Sequence, residues 1–140
     1  MLFRSALTRH FENIKTIPAI GKETALMLLH HLMAKPFQTA NKFISFAGLS
    51  PKIEQSGTSV DRKRKNKYGH KKLKQSLFMP ALVAFRMGAF PQFVKNLQES
   101  GKPKMVIIVA IMRKLAKLAY YIFKSGQPYD KSRHQAASHN

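Results

Sequence analysis

Two serines beside a dense run of cations are the residues of this sequence best suited to chemistry. Ser56 and Ser59 enclose Gly57 and Thr58, and the first cation of the run, Arg62, follows three residues after Ser59. Nearby cations lower the pKa of a hydroxyl and stabilise the charge that develops when it attacks a phosphodiester. Serines are also common in loops, so on spacing alone a structural role is the more frequent outcome. The pattern makes Ser56 a candidate nucleophile with Ser59 in reserve, and it leaves both interpretations open.

The run of cations is the most pronounced feature of the sequence. Between positions 62 and 74 eight of thirteen residues are basic, and the whole chain carries 25 Lys and Arg against 6 Asp and Glu, a formal net charge of +19. Such a chain repels itself and attracts polyanions, usually DNA or RNA. A mobile basic loop or a targeting tag is the alternative. We predict phosphate contacts for Arg62, Lys63, Arg64, Lys65, Lys67, Lys71, Lys72 and Lys74, and for Arg113 on the last predicted helix.

A second candidate contact lies at residues 17–29, with the sequence IPAIGKETALMLL. This stretch resembles the helix-hairpin-helix of DNA repair and recombination proteins, in which a hairpin presents backbone N–H groups to a phosphate. The N-terminus of a helix attracts anions, and Lys22 adds positive charge there. A tight turn between packed helices explains the same residues equally well. We predict Ile20 and Gly21 in the hairpin and Lys22 as its phosphate contact, with the tight turn as the alternative.

Metal-dependent chemistry finds little support in the sequence. Two-metal phosphoryl transfer needs several converging carboxylates, and the six present are scattered along the chain. His30 and His31 are adjacent, so they do not share one face of a helix, and the chain has no cysteine. We therefore predict no metal site and no cofactor in this chain. The lack of cysteine also fits a reducing cytoplasm.

The elements that must position these residues are helical. Apolar residues recur at helical spacing in the ranges 1–16, 22–33, 39–47, 70–87, 90–97 and 102–124, and no run alternates with the spacing of a strand. Thr39 and Gly48 mark the ends of the third helix, and Pro80 should kink or divide the fourth. Residues 50–69 form a long loop between them, which holds both serines and most of the basic run. The sequence predicts one all-α domain.

Taken in order, these short motifs resemble one family. The succession IPAIGKETA, FISFAGLSP, QSGTS, KYGHKKLKQSLF, GKPKMVIIVAIMRKL and KSGQPYD is similar to the C-terminal domain of the insertion-sequence transposases of family one-ten, which includes the Piv-like DNA invertases. The resemblance runs from residue 14 to residue 130. Several motifs in the correct order are far more specific than any one of them.

The resemblance implies DNA transposition or site-specific recombination, in which the serine before a glycine, here Ser56, joins covalently to DNA. It also implies an N-terminal RuvC-like domain that holds magnesium, and a structured guide RNA as a partner. Three positions depart from the family pattern, because Ala19 replaces a hairpin glycine, His70 an asparagine and Lys74 an arginine. These departures affect fine geometry rather than membership. Because the chain lacks the RuvC-like domain, we expect a fragment, a remnant or one half of a split enzyme.

We therefore predict three regions: the end of a linker helix at 1–13, a serine-bearing domain at 14–130 and a polar tail at 131–140. The partners are DNA, guide RNA, and the RuvC-like domain or other protomers. A non-catalytic basic DNA- or RNA-binding protein is the alternative function. The longest apolar stretch, 105–123, contains three cations, so we expect a cytoplasmic protein without membrane contact.

Overall fold

The computed structural model describes residues 2–50 and 67–132, and it describes side chains for 4–50 and 71–132. Within these ranges no residue lies in a strand. The predicted all-α class is confirmed. The chain forms the helices α1 (Leu2–Lys15), α2 (Lys22–Ala34), α3 (Ala40–Phe46), α4 (Lys67–Met87), α5 (Pro91–Glu99) and α6 (Lys104–Ser125).

The last helix, α6, lies at the centre of the packing. It contacts each of the five other helices that the structure describes and packs most extensively against α4. More than half of its 22 residues are buried, which a helix achieves only when most of its circumference is apolar. Pro103 stands immediately before it, and Gly126 ends it in the left-handed conformation at φ 71°. The helix begins two residues after the predicted start at 102 and ends one residue after the predicted end at 124. Proline suits the start of a helix and glycine its end.

The connection between α1 and α2 is a short turn with a buried inner side. Ile17 and Ile20 are buried in it, and the Asn13 side-chain nitrogen at the end of α1 donates to the Gly126 carbonyl oxygen at 3.0 Å. Ala19 adopts φ 70°, a left-handed conformation in which a Cβ costs roughly 1–2 kcal/mol. This is the position at which the resemblance leads us to expect glycine. The backbone therefore has the conformation that glycine favours, although the residue is alanine.

The fourth helix begins earlier than predicted. It begins at Lys67, before Gly69, so the end of the predicted loop is helical. Of the two outcomes predicted for Pro80, a kink or a division, the division does not occur, because the helix continues through Pro80. Proline lacks an N–H and therefore leaves the carbonyl oxygen four residues earlier, that of Ser76, without its helical donor. The Thr24 hydroxyl of α2 donates to that oxygen at 3.3 Å, which explains why the helix accommodates the proline.

No single helix among the described residues is long and apolar enough to cross a membrane. The stretches Lys71–Met87 and Pro91–Glu99 reach the required length only as a pair, and they meet at an angle of 89°.

Candidate nucleic-acid interface

The end of α3 sets the position of the backbone that leads into residues 51–66, hereafter the serine segment. The Gly48 N–H donates to the Ser45 carbonyl and the Leu49 N–H to the Ile44 carbonyl, at 3.0 and 3.1 Å. These two bonds close a Schellman motif, with Gly48 in the left-handed conformation at φ 75°. Leu49 is buried. The chain thus enters the serine segment from a well-anchored point.

Two cations that were predicted to contact phosphate lie beside the end of α3. The Arg113 Nε atom donates to the Leu49 carbonyl oxygen at 2.8 Å, across 64 residues. The Lys74 Cδ atom lies 3.9 Å from the position that a Cβ would take on Gly48. A guanidinium has five N–H donors in a planar fork, so the bond through Nε leaves four for other acceptors. Arg113 therefore has a structural contact that its predicted role as a phosphate ligand did not include.

Both predicted nucleophiles and four of the predicted basic residues lie outside the described residues. This applies to Ser56 and its reserve Ser59, and to the four cations of the range 62–65. Lys67 lies at the start of α4. The roles assigned to all of these residues stay predictions.

The remaining cations of the basic run lie along the first turns of α4. Lys71, Lys72 and Lys74 are all exposed, while Leu73 and Leu77 of the same helix are fully buried. Because Lys71 and Lys74 are three residues apart, they share one face of the helix. Lys71, Lys72 and Lys74 thus project from a helix whose other face packs in the core.

The predicted hairpin contact lies at the start of α2. Ile20 is buried, Gly21 is the N-cap with φ −91°, and no side chain caps the helix. Lys22 is exposed, but Glu23 also lies in the first turn. A carboxylate there competes with an anion for the positive end of the helix dipole. Phosphate binding by this turn stays a prediction.

One buried cation was missed by the sequence analysis. Lys114 is only 8% exposed, and its Nζ atom lies 5.3 Å from the ring centroid of Phe90 and 4.8 Å from that of Phe93. Burial, and to a lesser degree the charge of Lys117, lower the pKa of Lys114 to about 8. The helical period could have revealed it, since Lys114 follows the buried Ile107 by seven residues and so lies on the same face of α6.

Among the described residues no group of three or more His, Asp or Glu side chains is placed to hold a metal ion. Glu54 and Asp61 belong to the serine segment and lie outside the described residues.

Comparison with known proteins now identifies the family. The model of the Transposase IS116/IS110/IS902 family matches residues 11–97, which include Ser56, the basic run and the predicted hairpin. The chain belongs to this family. The resemblance seen in the ordered motifs is thereby confirmed.

Three similar proteins show what share of a relative's length this chain covers. It is 43% identical over 129 residues to the pilin gene-inverting protein of Moraxella bovis and 42% identical over 130 residues to that of Moraxella lacunata. Each match covers 87% of this chain and 39% of the relative. An insertion element IS110 protein of Streptomyces coelicolor is 24% identical over 119 residues, 84% of this chain and 29% of that protein. The chain thus spans about two fifths of the length of the two pilin gene-inverting proteins.

Proposed function

We propose that this chain acts in DNA transposition or site-specific recombination, as a domain that binds DNA through its phosphates and supplies Ser56 as the nucleophile. The observation that supports it most directly is that Lys74 lies beside Gly48 and Arg113 binds the Leu49 carbonyl, both at the end of α3. These cations lie where the chain enters the serine segment. Positive charge at that position suits a reaction that develops negative charge on a phosphate.

The charge balance supports phosphate binding by the rest of the surface. The chain has 25 Lys and Arg but only 6 Asp and Glu, so at least 19 cations have no carboxylate of their own. Lysines and arginines that contact phosphates release counterions from the nucleic acid, which provides affinity without reading sequence. We therefore assign duplex binding to the exposed lysines of α4 together with the basic residues of the serine segment, with Lys22 as a further contact.

In the proposed chemistry the Ser56 Oγ atom attacks the phosphorus of a DNA phosphodiester. The serine proton is lost, a phosphoserine bond forms, and the bond from phosphorus to one sugar oxygen breaks, leaving that oxygen to be protonated. The described residues lack a carboxylate cluster that would fit magnesium. We accordingly assign the metal to a separate RuvC-like domain and derive no step through it. Ser59 is the alternative nucleophile.

A structured guide RNA is the second polyanion that we propose for this surface. Contacts from lysine and arginine to phosphate do not distinguish DNA from RNA, so the same cations would serve both. Other protomers, or a chain carrying the RuvC-like domain, would complete the assembly. The sequence covers 39% of the length of the Moraxella bovis and Moraxella lacunata relatives.

The DNA-binding part of the proposal is tested by a salt titration. A labelled DNA duplex is bound by the purified chain at increasing salt, and contacts with about four to six phosphates predict a log–log slope of about −4 to −5. Neutralising Arg62, Lys63, Arg64 and Lys65 together should make the slope shallower. A slope near zero for the unmodified chain would refute the electrostatic interpretation.

The catalytic part is tested separately, by looking for a covalent protein–DNA adduct. The chain is mixed with a separately produced RuvC-like domain of a relative, guide RNA and supercoiled DNA, and adducts are separated under denaturing conditions. Ser56→Ala should abolish the adduct and leave duplex affinity unchanged, because a hydroxyl contributes little to a charge-dominated complex. Loss of the adduct only in Ser59→Ala would move the nucleophile to Ser59. If neither substitution affects an adduct, the serine assignment is wrong.

A non-catalytic nucleic-acid-binding protein is the second candidate function. It is supported by the charge balance, since 25 Lys and Arg against 6 Asp and Glu account for phosphate binding without any chemical role for Ser56. The same two experiments separate the candidates, because a binding protein would give the steep salt slope but no adduct in any mixture.

A further inference from the structure

A cleft of about 320 Å³ lies between the end of α2 and the end of α6. Its walls include the rings of Phe37, Tyr120 and Phe123, and it is also lined by Lys35 and Lys124. Both lysines are exposed. The volume lies within the range of small-molecule sites in proteins, roughly 300–1,000 Å³. None of these residues belongs to the interface described above.

The aromatic walls are held in place by the fold. The Tyr120 hydroxyl donates to the Phe37 carbonyl oxygen at 3.1 Å, which ties α6 to the residues that follow α2. Phe37 and Tyr120 are each 5% exposed. Phe123 is half-buried, and its ring centroid lies 4.6 Å from that of His10. The surrounding packing therefore holds the rings of Phe37 and Tyr120 in place.

Each of the two lysines lies over one of the rings that line the cleft. The Lys35 Nζ atom is 5.7 Å from the ring centroid of Phe37, and the Lys124 Nζ atom is 5.7 Å from that of Tyr120. An apolar side chain from a protein partner would fill the cleft but would cover two cations without pairing them, which is unfavourable. A ligand with a flat apolar part and an anionic part satisfies both the rings and the lysines. A nucleotide within a nucleic-acid chain has this chemistry.

We propose that this cleft receives one unpaired nucleotide of the bound nucleic acid. Its base contacts Tyr120 and Phe123, and its flanking phosphates contact Lys35 and Lys124. The Tyr120 hydroxyl proton is already engaged, so the aromatic wall accepts any base and does not select one. This inference rests on the proposed nucleic-acid binding but is independent of Ser56, and it adds a preference for unpaired sites that contacts with duplex phosphates do not supply.

The test compares two DNA duplexes that are identical except that one carries a single unpaired adenine in its middle. The wild-type chain should bind the bulged duplex at least about fivefold more tightly, the lower end of what stacking of one base on an aromatic side chain contributes. A fluorescent adenine analogue at the unpaired position should change its emission on binding, because the base enters an aromatic environment.

Two double variants with the same change in charge separate the cleft from general electrostatics. Lys35→Met with Lys124→Met should reduce the preference to about one. Lys95→Met with Lys102→Met should weaken binding of both duplexes alike and keep the preference. Lys102 precedes the first turn of α6, about 30 Å along the helix axis from Lys124. Circular dichroism checks that each variant is folded.

Phe123→Leu supplies a variant that keeps every charge. It should reduce the emission change and the preference while leaving affinity for the fully paired duplex as in the wild type. If the wild type binds both duplexes equally, with a steep salt slope, the cleft proposal is wrong and the proposed DNA binding stands. If the two double variants lose the preference equally, charge alone produced it and the cleft is not the site. Absence of binding to either duplex overturns both proposals.

Discussion

Replacing Lys114 with methionine should stabilise the protein at neutral pH. The Lys114 ammonium is buried, and its pKa falls from the ordinary 10.5 to about 8. At about 1.36 kcal/mol per pKa unit, the charged form costs roughly 3 kcal/mol relative to a neutral side chain. This cost is large for one side chain, since the total free energy of unfolding of a domain is about 5–15 kcal/mol.

The aromatic rings above Lys114 reduce this gain. Phe90 and Phe93 lie at distances that favour a cation, an attraction worth roughly 0.5–2 kcal/mol. Methionine has a similar length and makes its own favourable sulfur contacts with aromatic rings. We therefore expect Lys114→Met to raise the free energy of unfolding by about 1–2 kcal/mol at neutral pH.

The pH dependence gives an independent signature. Between about pH 8 and pH 10.5 the unfolded chain keeps the Lys114 proton that the folded chain has released. The unfolded state then binds more protons, so the contribution of Lys114 makes stability rise with pH in this window. Below pH 8 both states are protonated, and the cost is present in full. Lys114→Met should lack this rise.

Urea unfolding followed by circular dichroism measures both effects, at neutral pH and across the alkaline window. Lys95→Met is the matched control, because it removes the same charge from an exposed position on α5 and should change stability by at most about 0.5 kcal/mol. The reasoning is refuted if Lys114→Met is less stable than the wild type at neutral pH. It is also refuted if the alkaline rise is the same in Lys114→Met and Lys95→Met.

Three further substitutions test the backbone features of the fold. Thr24→Val should lower the free energy of unfolding by about 1 kcal/mol, because the Ser76 carbonyl loses its donor. Pro80→Ala supplies a helical N–H that reaches the same carbonyl, so in that background Thr24→Val should lower the free energy of unfolding clearly less. A double-mutant cycle that shows no coupling between the two positions contradicts this account. Ala19→Gly should add about 0.5–1 kcal/mol and raise the thermal midpoint, because relief of the left-handed strain exceeds the backbone entropy of glycine; a lowered midpoint contradicts it. Arg113→Met should cost about 1–2 kcal/mol and speed amide hydrogen exchange at the end of α3, whereas unchanged exchange would show that its bond there is not a restraint.

Local patterns in the sequence determined the class of the fold and several of its boundaries. The helical period of the apolar residues is a property of neighbouring positions, so it predicted an all-α domain without knowledge of partners. Thr39 and Gly48 mark the two ends of α3 as predicted, because capping and left-handed termination depend on single residue types. The ordered motifs also determined the family, since they are read directly from the chain.

Contacts between distant residues were decided only by the tertiary structure. Pro80 was predicted to kink or divide α4, and the sequence around it gave no sign of Thr24, which lies 52 residues from its hydrogen-bond acceptor Ser76. Arg113 was predicted to reach outward, whereas packing of α6 against α3 brings its Nε atom to Leu49. Such partners depend on which helices pack together.

The same reason explains why the buried lysine and the aromatic cleft were not predicted. Lys114 lies on the same face of α6 as Ile107, but its burial depends on Phe90 and Phe93, which the packing of α5 against α6 brings near it. The cleft exists because the end of α2 meets the end of α6, more than 80 residues later in the chain. Composition determined that the protein carries a large positive charge, and packing decided which of its cations lie beside aromatic rings and that Lys114 is buried.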